Sequence, residues 1–422
     1  MASNDFSKEE RIAFEDMLEG FNDALVLSNN VSIYRGLGES GDERTNDTVW
    51  RPQPYIARTY DGSDQTSNFK GYTQLTVPST VGYRKSAPWL MDELELRDAL
   101  QEGRLGEAAR QKLASDINVS VNNVAALYGT LCVKRTAASS GFDDVAECET
   151  IFNEQGVNSD MRYLALSTRD YNGMASNLAA RQTMNGKPVT AYEKAYVGTV
   201  ASFETYKMDY AYRLQAAAGS SLTVDTQASA SNYYTPVATR GASTGEQSNV
   251  DNRFQTITIS ATTNVAAGDS FTIAGVNAVH HITKEDTGQL KTFRVISVDS
   301  VTTMTISPPI ISNQGGTAAE EERQNCVVTE SATAAIVFLN TVAAAANPFW
   351  HKDAIELRPS KIMVPSDAGM KVMKGSTDQG IELVMMKQAS IDNTKTKYRL
   401  DARWGVTMMQ PEMAGIMQFS QT

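Results

Sequence analysis

The chain has 422 residues, 41% of them hydrophobic, and this length predicts two or three domains rather than one core. The net charge is -11 without any Lys/Arg-rich run, which argues against a sequence-specific reader of nucleic acids. Cys132, Cys148 and Cys326 are widely spaced without a CxxC pair, so we expect buried reduced thiols rather than a disulfide framework or a zinc knuckle.

The N-terminal segment predicts an amphipathic helix. Ser7 and Glu10 form a capping box, and apolar residues then recur at helical spacing, at Phe14, Met17, Leu18, Phe21 and Leu25. The polar face is strongly acidic and includes Glu15, Asp16 and Glu19. A basic partner would suit this face, and a simply solvated face is the alternative. The segment has no apolar core followed by a cleavage site, so we expect synthesis in a cytoplasm.

The next 180 residues predict a mixed α+β domain. Gly, Ser, Thr and Asp are frequent from about Gly36 to Lys85, which indicates a long two-stranded excursion that needs a neighbouring subunit to cover it. Apolar spacing from Glu107 to Leu131 predicts one long helix, about 37 Å at 1.5 Å per residue. Shorter helices are predicted at Asp143–Glu154 and Thr168–Ala179.

Near Ser220 the pattern changes to short alternating strands, which predicts an inserted all-β domain, an Ig-like sandwich or barrel. The predicted strands are Phe254–Ile259, Phe271–Ile273, Phe293–Val298 and Met304–Ile306. Ala332–Ala346 is predicted to be a packed helix ended by Pro348, too short to cross a membrane. Three later strands, Ile355–Leu357, Ile381–Met386 and Tyr398–Met409, are expected to complete the sheet begun before the insertion.

Residues that could carry chemistry are few, and no catalytic, cofactor or metal site is predicted. Gly241–Gly245 matches GxSxG around Ser243, but it lacks the strand and helix that a nucleophile elbow needs. His280 and His281 would face opposite sides of a strand, which argues against a shared metal. The run Glu320–Glu322 is typical of a solvated turn.

Several segments resemble coat proteins of short-tailed enterobacterial phages. The specific matches are Asn249–Thr263, Gly268-Asp269 and Ala274–Val276 within the inserted domain, and Asn347–Ile355, Trp404–Val406 and Pro411-Glu412 outside it. The first 220 residues match mainly by the order of their elements. The resemblance therefore covers the chain unevenly.

The resemblance implies an α+β, Hong Kong 97-like phage capsid fold with an inserted all-β Ig-like or barrel domain. The implied domains are an N-terminal arm (1–30), a first part of the P-domain (31–136) with an E-loop (54–82) and a long spine helix (107–131), a first part of the A-domain (137–219), the insertion (220–346), and the remainder of the A- and P-domains (347–422).

The same resemblance implies function and partners. The chain would be a major capsid protein of a virion, assembled in the host bacterial cytoplasm into hexamers and pentamers. Expected partners are a scaffolding protein, which would meet the acidic N-arm, a portal protein at one vertex, and packaged double-stranded DNA in non-specific contact; no membrane is expected. A loop at Thr239–Asn252 would cross between capsomers, with contacts from Arg240, Glu246, Asp251 and Arg253.

Two alternatives remain open from the sequence. A bacterial surface or adhesin protein would share an Ig-like module but should carry an export signal. A cytoplasmic hydrolase would use Ser243 as its nucleophile.

Overall fold

The computed structural model describes residues 8–35, 47–69, 71–92, 99–180, 197–224, 234–238, 249–312, 316–329, 333–364, 371–389 and 395–422. The chain divides into two units. The first comprises Met1–Val49, Ser79–Val121 and Glu356–Thr407, and the second comprises Trp50–Pro78, Asn122–Ile355 and Met408–Thr422.

The helices of the described residues are α1 (Lys8–Ala24), α2 (Ala99–Tyr128), α3 (Phe142–Glu154), α4 (Thr168–Ala179) and α5 (Ala318–Arg323). The strands up to the middle of the chain are β1 (Ser32–Ile33), β2 (Thr48–Pro52), β3 (Thr76–Thr80), β4 (Tyr83–Met91), β5 (Leu131–Lys134), β6 (Arg162–Ser167), β7 (Thr199–Val200), β8 (Phe203–Met208), β9 (Arg213–Leu214) and β10 (Thr223–Val224). The later strands are β11 (Gln255–Thr258), β12 (Ser270–Val279), β13 (Asp286–Val298), β14 (Thr303–Ser307), β15 (Cys326–Val328), β16 (Ala334–Phe338), β17 (Ala344–Ala345), β18 (Asn347–His351), β19 (Ile355–Pro359), β20 (Lys371–Ser376), β21 (Glu382–Ala389), β22 (Thr396–Met408) and β23 (Ala414–Gln418).

The first unit is built on a sheet of order β1-β19-β22-β21-β20, with β4 also paired to β22. The long strand β22 joins distant parts of the chain, since its residues Thr396–Trp404 pair with Tyr83–Met91. Trp404 on β22 is fully buried, and its indole N–H donates to Ser120 Oγ on α2 at 2.9 Å. This bond satisfies the polar group of a side chain that otherwise fills the core.

The body of the second unit is a sheet of order β5-β23-β18-β6-β8-β7. Helices α3 and α4 contribute Val145, Phe152 and Met174 to an apolar core that also contains Phe203 and Phe349 from the sheet. The predicted helices Asp143–Glu154 and Thr168–Ala179 are confirmed, the second at both ends.

The strands between residues 223 and 338 form one barrel. Their order is β10-β16-β12-β13-β14-β11, with β15 paired to β12. A bridge between Val224 and Ile259 joins β10 to the chain directly after β11, so the two edges of the sheet meet. Alternate side chains then point inward, as the period of a strand requires, and Phe271, Phe293 and Ile306 lie fully buried in the barrel core.

The barrel is attached through a short two-stranded stem. Strands β9 and β17, which flank the barrel in sequence, pair antiparallel, with Leu214 opposite Ala344. Asn340 lies beside this stem and bonds both sides: its amide N–H groups donate to Gln215 O at 3.0 Å and to Asp269 Oδ1 at 2.9 Å. The chain therefore leaves and rejoins the body at one point.

Two sequence-based expectations about helices need correction. The predicted helix Ala332–Ala346 is wrong, because Ala334–Phe338 is a barrel strand with alternating burial and Ala344–Ala345 belongs to the stem. The predicted long helix 107–131 begins earlier, at Ala99, and ends at Tyr128. Leu131 continues its apolar spacing but starts β5, because the chain has left the helix at Gly129. Across the described residues, no helix is both long and apolar enough to span a bilayer.

Candidate interaction surfaces

Helix α1 carries an exposed acidic face. Its apolar side chains Phe14 and Met17 are buried in the first unit, and a Cβ on Gly375 of β20 would lie 2.8 Å from the Phe14 ring. The opposite face leaves Glu15, Asp16 and Glu19 exposed. The structure thus leaves all three predicted scaffold-facing carboxylates accessible. Ser7 of the predicted capping box lies outside the described residues.

The segment between β2 and β3 exposes aromatic rings. Phe69 is 88% exposed, and Tyr55, Tyr60 and Tyr72 are exposed by 40–57%. The two strands pair with each other, as the predicted two-stranded excursion requires. Exposed rings on an extended excursion suit contact with another molecule.

The base of this excursion is held by the short helix α5. Arg58 pairs with Glu321 at 3.1 Å and with Glu322 at 2.9 Å, and the Thr73 N–H donates to Glu322 Oε2 at 2.9 Å. The prediction of a solvated turn at Glu320–Glu322 is wrong, because Glu320 and Glu322 are each only 2% exposed. Both lie on a helix capped by Thr317. The Arg58 guanidinium offsets the burial of Glu322, and Glu320 accepts hydrogen bonds from the Thr235 hydroxyl and the Thr317 N–H.

The predicted intercapsomer loop is described only at its end. Arg240, Glu246 and the whole Gly241–Gly245 motif with Ser243 lie outside the described residues. Asp251 and Arg253 form a bidentate pair with N–O distances of 2.8 and 2.6 Å, and Arg253 also donates to the Met408 carbonyl. These two residues are engaged within the chain, so the predicted contact with a neighbour stays a prediction for them.

Two of the three histidines, His280 and His351, act as local hydrogen-bond acceptors. His280 and His281 lie in the turn after β12, not within a strand as predicted. His280 Nδ1 accepts the backbone N–H groups of Ile282 and Thr283, both at 3.2 Å, and His351 Nδ1 accepts that of Asp353 at 3.2 Å. Within the described ranges, no three His, Cys, Asp or Glu side chains are grouped to hold a metal ion.

The cysteines are buried and unpaired, as the sequence predicts. Burial raises the pKa of the Cys148 thiol well above its ordinary value and that of Cys326 to about 12. Because the thiolate is the reactive form, these side chains act as small apolar groups.

One buried side chain that the sequence did not point to is Arg294 on β13. Its guanidinium donates to the carbonyls of Ala126 and Gly129 at the end of α2, at 2.8 and 3.1 Å, and to Gly268 O and Ser270 Oγ at 2.8 and 2.7 Å. It therefore caps the last turn of the body's long helix from within the barrel. An arginine in the otherwise apolar run Phe293–Ile296 was the available signal.

An inserted barrel, an exposed acidic helix and exposed aromatic rings on an extended segment favour a protein that contacts other molecules through its surface. The family model described as "P22 coat protein - gene protein 5" matches residues 1–420. The chain therefore belongs to the P22 coat protein family, and it is a major capsid protein that forms the shell of a phage head.

Solved structures similar to the chain include phage proteins. A chain of Mycobacterium phage Che8 is 10% identical, covers 93% of this chain and 90% of its own length, and has a TM-score of 0.43. A capsid structure of the cyanophage P-SCSP1u is 10% identical over 94% of this chain and 89% of its own, with a TM-score of 0.43. The CUS-3 coat protein I-domain is 41% identical over 29% of this chain and 99% of its own, with a TM-score of 0.22.

Proposed function

We propose that the chain assembles as hexamers and pentamers into an icosahedral head that encloses packaged double-stranded DNA. The observation that carries this proposal is the family match over 420 of the 422 residues. In the same proposal, a scaffolding protein guides assembly in the bacterial cytoplasm and a portal protein occupies one vertex. The family is structural, and no catalytic role is assigned to Ser243.

The excursion 54–82 is proposed as the E-loop that covers a neighbouring subunit. Its exposed rings, Phe69 above all, favour a contact with apolar surface on another copy. One subunit has to fit both pentamers and hexamers, so individual contacts should be weak and numerous, and multivalency then stabilises the closed shell. The spine helix, P-domain and A-domain assignments belong to the same proposal.

The loop 239–252 is proposed to cross between capsomers, with Arg240 and Glu246 as the contacting charges. The Asp251–Arg253 pair supports this arrangement by anchoring the end of the loop to the body. Arg240→Ala combined with Glu246→Ala should weaken shells without changing the fold of the monomer. Shells of unchanged resistance to urea would reject the role of these two charges.

The acidic face of α1 is proposed to bind a basic segment of the scaffolding protein. Reversal of Glu15, Asp16 and Glu19 to Lys should abolish co-assembly, because like charges would then meet. The matched control reverses three exposed acids of the second unit with the same change of charge, Asp160, Asp209 and Glu285. Equal co-assembly by the two triple variants would reject a specific scaffold site on α1.

Shell formation itself is tested by sedimentation and negative-stain microscopy of the full chain, alone and with its scaffolding protein. Closed shells that sediment far faster than a 45.9 kDa monomer are the expected result. A monomer or small oligomer under both conditions would reject the proposal.

A further inference from the structure

The second unit contains a cavity of about 260 Å³ among charged residues. Its lining combines the base of the aromatic excursion with parts of the barrel, α5 and the segment before β23, and the polar residues Arg253, His281, Arg323 and Glu412 all face it. A water molecule takes about 30 Å³ of liquid, so the cavity has room for a polyatomic ion with bridging waters.

Most charges at the cavity have a partner. Glu412 pairs with Lys291 Nζ, and its second oxygen lies 4.0 Å from His281 Nε2. Arg253 is paired with Asp251. These pairs leave no free carboxylate among the lining residues that the structure describes.

Arg323 is the exception. Its Nε and Nη2 are buried and donate no hydrogen bond among the described residues. Glu322, its acidic neighbour in sequence, is instead engaged by Arg58 and by the Thr73 N–H. A buried N–H group without an acceptor is costly, and two on one cation define a site where an anion is favoured.

The surrounding charges add to this preference. Lys284 donates to Gln324 O at 2.9 Å, close to Arg323. Burial lowers the pKa of Lys284 to about 8, with the cations Arg323 and Lys291 contributing to this shift and the carboxylate of Glu412 opposing it. Three cations, Lys284, Lys291 and Arg323, therefore act in this region against two carboxylates, Glu412 at Lys284 and Glu322 at Arg323.

We propose that the cavity binds a small oxyanion of the phosphate or sulfate class, with the guanidinium of Arg323 as its principal ligand. The fork of a guanidinium fits two oxygens of such an ion, whereas a lysine at the same place would contact it as a point charge. The bound ion bridges α5, the barrel and the base of the aromatic excursion, and so stabilises the second unit. The proposal goes beyond shell assembly, because the groups that carry it all lie within one chain.

Sulfate is the probe for the test, because it keeps its charge across the pH range that matters. Sulfate is titrated into the full-length monomer by calorimetry, with chloride used to hold the ionic strength constant. Saturable binding by the wild type is expected, with at least tenfold loss of affinity in Arg323→Gln, which corresponds to about 1.4 kcal/mol. Arg169→Gln, at an exposed arginine on α4, is the matched control and should bind as the wild type does.

The pH dependence gives a second readout. As Lys284 loses its proton around pH 8, sulfate affinity should fall between neutral pH and pH 9. In Lys284→Met this fall should be absent, whether or not Arg323→Gln folds. Wild-type binding that does not saturate, or that is equal in Arg323→Gln and Arg169→Gln, would overturn the proposal and leave a cavity filled by water.

Discussion

Replacement of Arg294 by Met tests how the barrel is held to the body. The change removes four donated hydrogen bonds and leaves the carbonyls of Ala126, Gly129 and Gly268 without the donor they now have. Each buried acceptor left unpaired costs about 1–3 kcal/mol. Removal of the charge offsets part of this loss, because burial disfavours the charged guanidinium and lowers the pKa of Arg294 to about 10. We therefore expect a net loss of about 3 kcal/mol, the low end of the sum.

The assay is urea unfolding of the full-length monomer, combined with hydrogen exchange at the end of α2. Arg294→Met should lower the free energy of unfolding and speed exchange in the last turn of α2, whereas Arg294→Lys, which keeps the charge, should lie between it and the wild type. The control Arg169→Met should stay within about 0.5 kcal/mol of the wild type. A loss in Arg294→Met no larger than in this control would refute the reasoning.

Three further predictions follow from single contacts. Arg58→Met leaves Glu322 buried without its cation, so we expect a loss of about 1–3 kcal/mol and faster proteolysis of the aromatic excursion. Gly405→Ala puts a Cβ 2.2 Å from the Thr80 carbonyl oxygen, so overpacking should lower the free energy of unfolding by about 1–3 kcal/mol. The pKa of Lys284 is about 8 in the folded chain, against 10.5 for an ordinary lysine, so the unfolded chain binds this proton more tightly. Between pH 8 and 10.5 the free energy of unfolding of the wild type should therefore rise by about 1–3 kcal/mol relative to that of Lys284→Met.

Each of these predictions has a control. Gly82→Ala adds a methyl group where nothing lies within 4 Å, so it should be neutral, and equal losses at Gly405 and Gly82 would contradict the steric argument. Arg213→Met changes an exposed arginine of the same unit and should leave proteolysis of the excursion unchanged. Parallel pH profiles of the wild type and Lys284→Met would contradict the assigned pKa shift.

Local elements were largely predictable from the sequence. Helix α4 follows from the Ser167-Thr168 start and the apolar spacing after it, and both of its ends were predicted correctly. The segment Ala334–Phe338 was not, because its alanines favour helix while pairing with β12 decides the conformation. The alternation that is typical of a strand covers only a few residues around Ile336, whereas the alanines on both sides of it favour a helix over a longer stretch.

The surfaces were harder to predict than the elements. The acidic face of α1 is local, so helical spacing alone predicts that Glu15, Asp16 and Glu19 lie away from the core, where the structure leaves them exposed. Arg294 and Arg323 acquire their roles from groups far away in sequence, such as Ala126 for Arg294, and only the folded chain brings these together. The burial of Glu322 was not predictable for the same reason, because its partner Arg58 lies more than 250 residues earlier in the chain.

The paired stem at β9 and β17 has a consequence for the exchange of parts between capsid genes. Residues opposite each other in an antiparallel pair have Cα atoms about 5 Å apart, so a barrel could be gained or lost there without moving the body's strands. Arg294 opposes such exchange, because this barrel residue donates hydrogen bonds to the carbonyls at the end of the body's long helix. A recombinant without the barrel would need a new C-terminal cap for that helix. The segment that encodes the barrel could therefore be exchanged between genes, but its loss would destabilise the body.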